Sequence, residues 1–372
     1  MNRELKIKTS SCFIFFFEIA SILGASSLEN EKWMNYITTA FFVLAIFFVI
    51  ISRLANRIML IREFVILMFL LCFSLVGIKY SLARELIMFA LTAWGISNED
   101  ADGVIKAYLT AKIIGSFFLV MLGFIASPSL QIVEGGVGRL GFANANGLGM
   151  ELVDIILLLF AAFYDEQKKR KWIMFTLMAA AGIFYITESR TSTLGLIVLA
   201  LLLLTTWWEN ARIVHKVLPT MFVILAIVSV WIACSYQEYS PIWMKLNEYS
   251  SGRFYSYYWY YTHMPITIMG NIFYAGKLLP LDNAYLYILF RYGVITLLIY
   301  ALINWKMTEF YIENDNSVLL MCTVAYEVMA FMEFGPMSVT NNFAFAVYFA
   351  SYHKEYVKRH GYNDSGNPLG DS

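Results

Sequence analysis

Long apolar stretches separated by short polar segments recur along almost the whole chain. A helix needs roughly 17–25 mainly apolar residues to cross a bilayer, so each such stretch is a candidate membrane span. About twelve stretches qualify, namely residues 11–28, 33–52, 63–78, 81–96, 107–127, 146–163, 172–187, 190–208, 217–234, 283–303, 317–334 and 337–352. The pattern predicts an all-α polytopic transmembrane helical bundle, and we expect residues 1–372 to form a single integral membrane domain.

Composition supports the same interpretation. Hydrophobic residues make up 59% of the chain and charged residues 15%, whereas soluble domains have near 45–50% and about 25%. The first apolar stretch contains Glu18 and ends without a small-residue cleavage site, so we expect a retained signal anchor. The four cysteines occur singly in apolar segments, which predicts no metal site and no disulfide framework. The net charge of zero argues against a surface that binds nucleic acid.

Lys and Arg residues are distributed unevenly between the segments that connect the predicted spans. If the N-terminus is cytoplasmic, about two thirds of them fall on the cytoplasmic side, as positive charges in membrane proteins usually do. The basic run at residues 168–171 supports this orientation, because one span more or fewer before it would place the run on the outer side of the membrane. Both termini are therefore expected to be cytoplasmic, with residues 353–372 as a flexible tail.

The connection over residues 235–282 is the longest between predicted spans and falls on the outer side. Loops of such length are usually functional or disordered. Its many Tyr and Trp residues argue against disorder. We expect one long extracytoplasmic loop that is ordered and folds against the membrane surface.

Several arginines fall on the predicted outer side, although positive charges in membrane proteins prefer the cytoplasmic side. The position of each therefore needs a physical reason. Arg139 lies in a Gly-rich loop with Asn144 and Asn146. Glycines let backbone amides approach a ligand and asparagines supply donors and acceptors, which suits phosphate or sugar hydroxyl groups. The alternative is a plain Gly-rich turn, and Asn146 is expected to cap the span that follows.

Arg190 lies in a very short outer turn beside Glu188 and Ser189. An arginine and hydroxyl groups at a helix N-terminus suit an anionic ligand, and we favour this interpretation. The alternative is a surface ion pair in which Glu188 simply neutralises Arg190.

Arg253 precedes a run of aromatic residues that includes Trp259. Aromatic rings stack on sugar faces and on guanidinium groups, and the arginine fork binds phosphate at two points. The alternative is an aromatic belt at the membrane interface, and the two interpretations are compatible. His263 is a candidate general base, although a lone loop histidine is more often structural.

Asp282 and Asn283 precede the next predicted span. A carboxylate at a helix start is a good cap, but Asp282 is also placed where a base would be needed to accept a hydroxyl proton. Glu333 is close enough to the outer surface to join the same site.

Charged residues inside predicted spans are costly and usually mark ion pairs or function. Several lie inside the spans of this chain, among them Glu18, Lys112, Glu151, Asp154, Arg291, Glu327 and Glu333. Asp154 and Arg291 are expected to form a structural ion pair.

Taken in order, the arginine motifs resemble those of the Wzy-type oligosaccharide repeat-unit polymerases and the related O-antigen ligases. The first family element is matched by Arg139, Gly141, Asn144, Asn146, Leu148 and Gly149, with Ala145 where the family usually has proline. The second and third, Ser-Arg-Thr and Ser-Gly-Arg with a downstream Trp, are matched by 189–191, 251–253 and Trp259. The last is matched by Asp282, Asn283, Tyr285, Leu286 and Gly293.

The resemblance implies a glycosyltransferase of the bacterial cytoplasmic (plasma) membrane that needs no metal or other cofactor. The donor would be an undecaprenyl pyrophosphate-linked oligosaccharide and the acceptor a sugar hydroxyl of another lipid-linked repeat unit. The products would be capsular, O-antigen or exopolysaccharide chains made at the outer leaflet. Arg139, Arg190 and Arg253 would stabilise the leaving pyrophosphate, and Asp282 would take the hydroxyl proton.

The resemblance also implies partners and further contacts. Membrane lipids, a chain-length regulator and a flippase are the implied partners. Polar and aromatic residues near the arginines are expected to bind the substrate, namely Asn144, Asn146, Glu188, Ser189, Trp259, His263, Asn283 and Glu333. The ligases carry a histidine where this chain has Asp282, which disfavours a ligase and leaves the base open between Asp282, His263 and no protein base.

Two further classes of function stay open. A transporter or flippase of the same lipid-linked oligosaccharides would line a central cavity with polar groups from both sides of the membrane, whereas the motifs above gather on the outer side. A non-enzymatic assembly or sensory protein would tolerate substitution of all three arginines.

Overall fold

The structure, a computed structural model, describes residues 9–28, 31–56, 89, 91–96, 100–126, 139–205, 212–271 and 279–359. The predicted span 63–78, most of span 81–96 and the end of the tail lie outside these ranges. The α-helices of these described ranges are α1 (Thr9–Gly24), α2 (Lys32–Asn56), α3 (Ala101–Ala126), α4 (Ala145–Phe163), α5 (Lys169–Thr187), α6 (Arg190–Leu204), α7 (Arg212–Val217), α8 (Met221–Ser235), α9 (Pro241–Tyr249), α10 (Arg253–His263), α11 (Ala284–Tyr287), α12 (Gly293–Glu313), α13 (Ser317–Ala330) and α14 (Phe343–Arg359).

These described residues form helices and their connections, with one isolated β-bridge between Ser26 and Phe142 and no β-strand. The predicted all-α class is confirmed. A π-helical segment, Ile288–Tyr292, lies between α11 and α12, and Gly293, which follows it, has a non-helical backbone with φ +87° and ψ 175°.

Five helical segments in the described part of the chain are long and apolar enough to cross a membrane, namely Lys32–Val49, Ala101–Ala126, Ala145–Phe163, Val214–Ser235 and Ala284–Glu313. Three shorter apolar helices are Ser11–Gly24, Arg190–Leu204 and Ser317–Ala330. The structure therefore indicates a membrane-embedded helical protein, while a count of about twelve spans stays a prediction.

Several helix boundaries differ from those predicted by hydropathy. The apolar stretch 317–334 is helical only to Ala330, so Glu333 lies in the connection after α13 and not inside a helix. The last helix begins at Phe343 rather than at residue 337, because a 3₁₀ turn with Pro336 precedes it. Proline lacks a backbone N–H and favours such an interruption, whereas hydropathy does not register it.

The helices cluster into two compact units, and the described chain passes from the first to the second within α6 and returns to the first between Ser338 and Val339. Among the described residues, unit 1 comprises those up to 56, those from 89 to 197 and those from 339 onward, and unit 2 comprises those from 198 to 338.

In unit 1, α1 packs against α2 and α3, while α3 also packs against α4 and α14. Ile19, Ile22 and Leu23 of α1 form a core cluster with Leu119 of α3 and Leu148 of α4. This cluster lies directly under the loop that contains Arg139, since Phe142 belongs to it.

In unit 2, α8 packs against α10, α11 and α12. Tyr257 and Tyr260 of α10 are buried in a cluster with Ile232 of α8 and with Leu286 and Phe290. The predicted extracytoplasmic loop is therefore folded over its described residues, as its aromatic content indicated, and α10 contributes to the core of this unit.

Candidate functional site

Arg253 begins α10, after the turn that connects it to α9. The Ser250 hydroxyl donates to the Asn247 carbonyl at 3.0 Å, and the Asn247 side-chain oxygen accepts from the Tyr255 amide at 2.9 Å. These bonds satisfy polar groups that a helix end leaves open. The turn thereby sets the position of Arg253 in the first turn of α10.

The Arg253 guanidinium contacts two carboxylates from other segments of unit 2. Its Nε lies 3.1 Å from Asp282 Oδ2, and its Nη2 lies 3.4 Å from Glu333 Oε2. The side chains are 11%, 33% and 20% exposed for Arg253, Asp282 and Glu333. These two contacts use two of the five N–H groups of the guanidinium, so its geometry allows further hydrogen bonds to a ligand.

Hydrogen bonds from the buried face of α10 hold this group together. Tyr260 donates to the Leu279 carbonyl at 2.6 Å, and Ser256 donates to the carbonyl of Pro280. Tyr257 donates to the Phe331 carbonyl at 3.3 Å. The helix that carries Arg253 is thus tied to both segments that carry its carboxylate partners.

Asn283 also links the segments that build the site, and its side chain is fully buried. Its side-chain oxygen accepts from the Leu286 amide at 2.9 Å and so caps α11. Its side-chain nitrogen donates to Ser229 and to the Phe331 carbonyl, each at 2.9 Å. The capping role considered for Asp282 belongs to Asn283, which leaves the Asp282 carboxylate to pair with Arg253.

Glu333 lies in the connection after α13, beside Arg253 and near Asp282. Burial and the nearby Asp282 carboxylate, opposed by Arg253, raise the pKa of Glu333 to about 8. A carboxyl group with a pKa near this value is largely protonated near neutral pH, so Glu333 brings one bound proton to the site.

Trp259 and His263 lie farther along α10. The His263 ring stacks on the Trp259 ring at 4.7 Å, and His263 Nδ1 lies 2.9 Å from the Trp259 carbonyl oxygen. Ten residues of helix separate His263 from Arg253, which is about 15 Å along the axis. His263 is exposed at the C-terminal end of α10, so its role as a general base beside Arg253 is not supported.

In unit 1, Arg139 is half-buried in a loop that is fastened to the end of α1. The Ser27 amide donates to the Gly141 carbonyl at 2.8 Å, and the Ala143 amide donates to the Ala25 carbonyl at 2.9 Å. Gly141 has φ +92°, and a Cβ there would lie 2.5 Å from the Leu119 carbonyl oxygen. Gly141, two residues after Arg139, is therefore required by the backbone conformation of the loop.

The two asparagines after this loop have different positions. Asn144, not Asn146, caps α4, since its side-chain oxygen accepts from the Gly147 amide at 2.7 Å. The prediction for Asn146 is wrong because the helix begins one residue before it, at Ala145, and places Asn146 in the first turn. The capping residue must precede the helix with extended backbone geometry, as Asn144 does.

The turn that contains Arg190 packs against the start of α4. A Cβ added at Gly149 would lie 2.8 Å from Ser189 Cβ and 2.8 Å from Ser192 Oγ. Ser189 is buried, and its hydroxyl is 2.8 Å from that of Ser192. Glu188 and Arg190 are exposed on either side of it.

The first two arginine motifs therefore lie at the same end of unit 1. The β-bridge joins the end of α1 to the loop of Arg139, and Gly149 joins the start of α4 to the turn of Arg190. The basic run predicted to be cytoplasmic lies at the other end of α5, about 28 Å away along this 19-residue helix.

Buried charges of unit 1 form a separate cluster. The Lys112 ammonium lies 2.8 Å from Glu151 and 3.2 Å from Asp154. In unit 2, the Arg291 guanidinium lies over the Tyr287 ring at 5.4 Å. The structure thus gives Asp154 the partner Lys112 in place of the predicted Arg291.

Sequence reasoning missed Tyr257 and the carbonyl of Phe331, which together position the site in unit 2. The spacing of Tyr257, four residues after Arg253, was a usable signal because such pairs share one face of a helix. Among residues with described coordinates, no group of three or more His, Cys, Asp or Glu side chains is arranged to hold a metal ion.

Comparison of the chain with models of known families, with curated proteins and with solved structures found no match. The resemblance to the repeat-unit polymerases therefore stays a prediction that is based on the motifs themselves.

Proposed function

We propose that this protein is a membrane glycosyltransferase that polymerises lipid pyrophosphate-linked oligosaccharide repeat units. The lipid is undecaprenyl, the membrane is the bacterial cytoplasmic membrane, and the reaction takes place at the outer leaflet. Both termini are then cytoplasmic, and the products are capsular, O-antigen or exopolysaccharide chains.

The observation that supports this proposal most is the contact of Arg253 with Asp282 and Glu333. These residues come from three separate segments, and the fold has brought both carboxylates within hydrogen-bonding distance of the Arg253 guanidinium. A guanidinium whose geometry allows further hydrogen bonds, beside a partly exposed carboxylate, suits a reaction that develops negative charge on a leaving group and releases a proton.

In the proposed reaction, the anomeric C–O bond to the donor pyrophosphate breaks and the lipid pyrophosphate keeps the bonding electrons. A hydroxyl oxygen of the acceptor sugar forms the new bond to the anomeric carbon, and its proton passes to the Asp282 carboxylate. Arg253 donates hydrogen bonds to the pyrophosphate as its charge grows. Asp282 is preferred to His263 as the base because it contacts Arg253.

Arg139 and Arg190 are proposed to bind anionic or polar groups of the lipid-linked substrate. Both motifs lie at one end of unit 1, which allows the two arginines to bind the same substrate molecule. Asn144 and Glu188 are exposed beside them and would contact sugar hydroxyl groups. Ser189 and Asn283 are buried, so we assign them the positioning of their neighbours.

Purified full-length protein in lipid nanodiscs, given a synthetic undecaprenyl pyrophosphate-linked repeat unit, is expected to produce a ladder of longer products. Arg253→Ala should abolish the ladder. Lys245→Ala, which changes an exposed cation on α9, is the matched control and should retain it. The absence of any longer product with the native protein, under conditions that preserve its fold, would contradict the proposal.

A transporter or flippase is the second candidate, and the buried charge cluster around Lys112 is the observation that favours it. Intramembrane charges often line the path of a substrate. Movement of the labelled lipid across proteoliposomes, without product of greater length, would support this candidate. A ligase is disfavoured because Asp282 stands where the resembling ligases have histidine.

A further inference from the structure

The interior of unit 1 contains three carboxylates around one ammonium group. Lys112 Nζ lies 2.8 Å from Glu151 Oε2, 3.2 Å from Asp154 Oδ2 and 3.6 Å from Glu18 Oε2. Each of the four side chains is at least 92% buried. If all four groups were ionised, one positive and three negative charges would leave an excess of −2 in a low-dielectric interior.

Such an excess is unfavourable because the interior cannot solvate it, and carboxyl groups that share a site respond by retaining protons. The distances identify which carboxyl group is the best candidate. Glu151 accepts hydrogen bonds at both oxygens, from Lys112 at 2.8 Å and from Ser116 at 3.0 Å, so its environment stabilises the ionised form. Asp154 accepts from Lys112 at 3.2 Å.

Glu18 has a different environment. Its side chain is 0% exposed and points toward Lys112, but at 3.6 Å the contact is longer than a hydrogen bond. Neither Glu18 oxygen has a hydrogen-bond partner within the described ranges. A buried carboxylate without hydrogen bonds is far less stable than the neutral acid.

The neighbouring helices supply no further cation to Glu18 among the side chains that the structure describes. On α2 the titratable side chains that the structure describes are those of Lys32 and Tyr36, and both are exposed. On α3 the buried Tyr108 adds a hydroxyl near Glu18, while Asp102 and Lys106 are exposed. Lys112 is therefore shared by three acids, and Glu151 and Asp154 lie closer to its ammonium group than Glu18 does.

We propose that Glu18 is a proton-binding site in the interior of unit 1 and holds its proton at neutral pH. Protonation of Glu18 reduces the formal excess charge from −2 to −1 and leaves Lys112 to pair with Glu151 and Asp154. The ligand is a proton and not a metal ion, because the ammonium group already occupies the centre of the acids. This site is independent of the proposed glycosyl transfer, which uses other residues.

Labelling with dicyclohexylcarbodiimide tests the site, since this apolar reagent modifies protonated carboxyl groups in apolar surroundings. The full-length protein in nanodiscs is treated at a series of pH values, and mass spectrometry locates the label. We expect label on Glu18 at neutral pH, with loss of label as the pH rises, and none on Glu151. Label on Glu151 in place of Glu18, or protection of Glu18 by sodium ions at constant pH, would overturn the proposal.

If the reagent does not reach the site, thermal unfolding of two variants tests whether Glu18 is protonated. Glu18→Gln reproduces the shape of the protonated acid, so the midpoint of thermal unfolding should stay the same or rise. Glu151→Gln is the matched variant, and it should lower the midpoint by several degrees because it removes an ionised partner of Lys112. An equal loss in the two variants would mean that Glu18 is ionised and that the proposal is wrong.

Discussion

Arg253 and Asp282 are 29 positions apart in the chain, yet Arg253 Nε lies 3.1 Å from Asp282 Oδ2. One residue begins α10, and the other directly precedes the residue that caps α11. The same guanidinium also reaches Glu333, 80 positions away.

Asp282→Asn should remove the proposed proton acceptor while retaining the shape of the side chain. We expect the rate of chain lengthening to fall by about 100-fold or more, with little change in the thermal unfolding midpoint. Glu248→Gln, an exposed acid on α9, is the control and should keep the native rate. A native rate in Asp282→Asn would exclude Asp282 as the base.

Asn283→Ala should destabilise the protein by about 2–4 kcal/mol, since it removes a helix cap and two buried hydrogen bonds. Asn316 is a matched control, because it caps α13 through the Leu319 amide at 3.1 Å but is only half-buried. Asn316→Ala should cost about 1 kcal/mol. Thermal unfolding followed by circular dichroism measures both, and equal effects would show that the buried bonds of Asn283 contribute little.

Gly141→Ala should lower the thermal midpoint of the protein. The added Cβ would meet the Leu119 carbonyl oxygen at 2.5 Å in a backbone conformation with φ +92°. Gly182→Ala is the control, because a Cβ at this position on α5 meets none of the described atoms outside its own helix backbone within 4 Å. That variant should be neutral or slightly stabilising, since alanine is the better helix former.

Gly149→Ala should disturb the packing of α4 against the turn of Arg190. Its Cβ would lie 2.8 Å from Ser189 Cβ, and we expect a loss of about 1–3 kcal/mol. Gly147→Ala lies in the same first turn of α4, and its Cβ would stay 3.4 Å from the Asn144 oxygen. It should be tolerated, and equal losses in the two variants would contradict the packing argument.

Glu333 should make stability depend on pH. Because burial raises the pKa of Glu333 to about 8, the folded protein binds a proton there that the unfolded chain has already lost. This contribution is fully present below the pKa of an unfolded glutamate and is lost as the pH rises through about 8. The thermal midpoint should therefore fall between about pH 5 and pH 8, and Glu333→Gln should flatten this dependence. An unchanged pH profile in the variant would refute the assignment to Glu333.

Hydropathy and residue type predicted the local features of this protein well. The apolar stretches that the structure describes are largely helical, and most of the described aromatic residues of 235–282 lie in ordered helices rather than a disordered loop. The glycine after Arg139 also has the backbone role that its type indicates. These features depend on few neighbouring residues, so a linear pattern contains most of the information.

The partners of polar side chains were harder to predict. Asp154 was expected to pair with Arg291 and pairs with Lys112, and the cap expected from Asn146 comes from Asn144. His263 was left open as an alternative base to Asp282, but it lies at the far end of α10. Each outcome depends on where a helix begins or which face it buries, and a shift of one residue turns a side chain by about 100°.

The amino-acid sequence by itself therefore determined that the chain is helical and suited to a membrane, because burial of apolar side chains in hydrocarbon requires only their number and spacing. Tertiary structure alone decided that Arg253 meets Asp282 and Glu333, and that Glu18, Glu151 and Asp154 surround Lys112. Those contacts join residues distant in the chain, and their formation depends on how helices pack against one another. The excess of acids over cations in the second group becomes visible only once that packing is known.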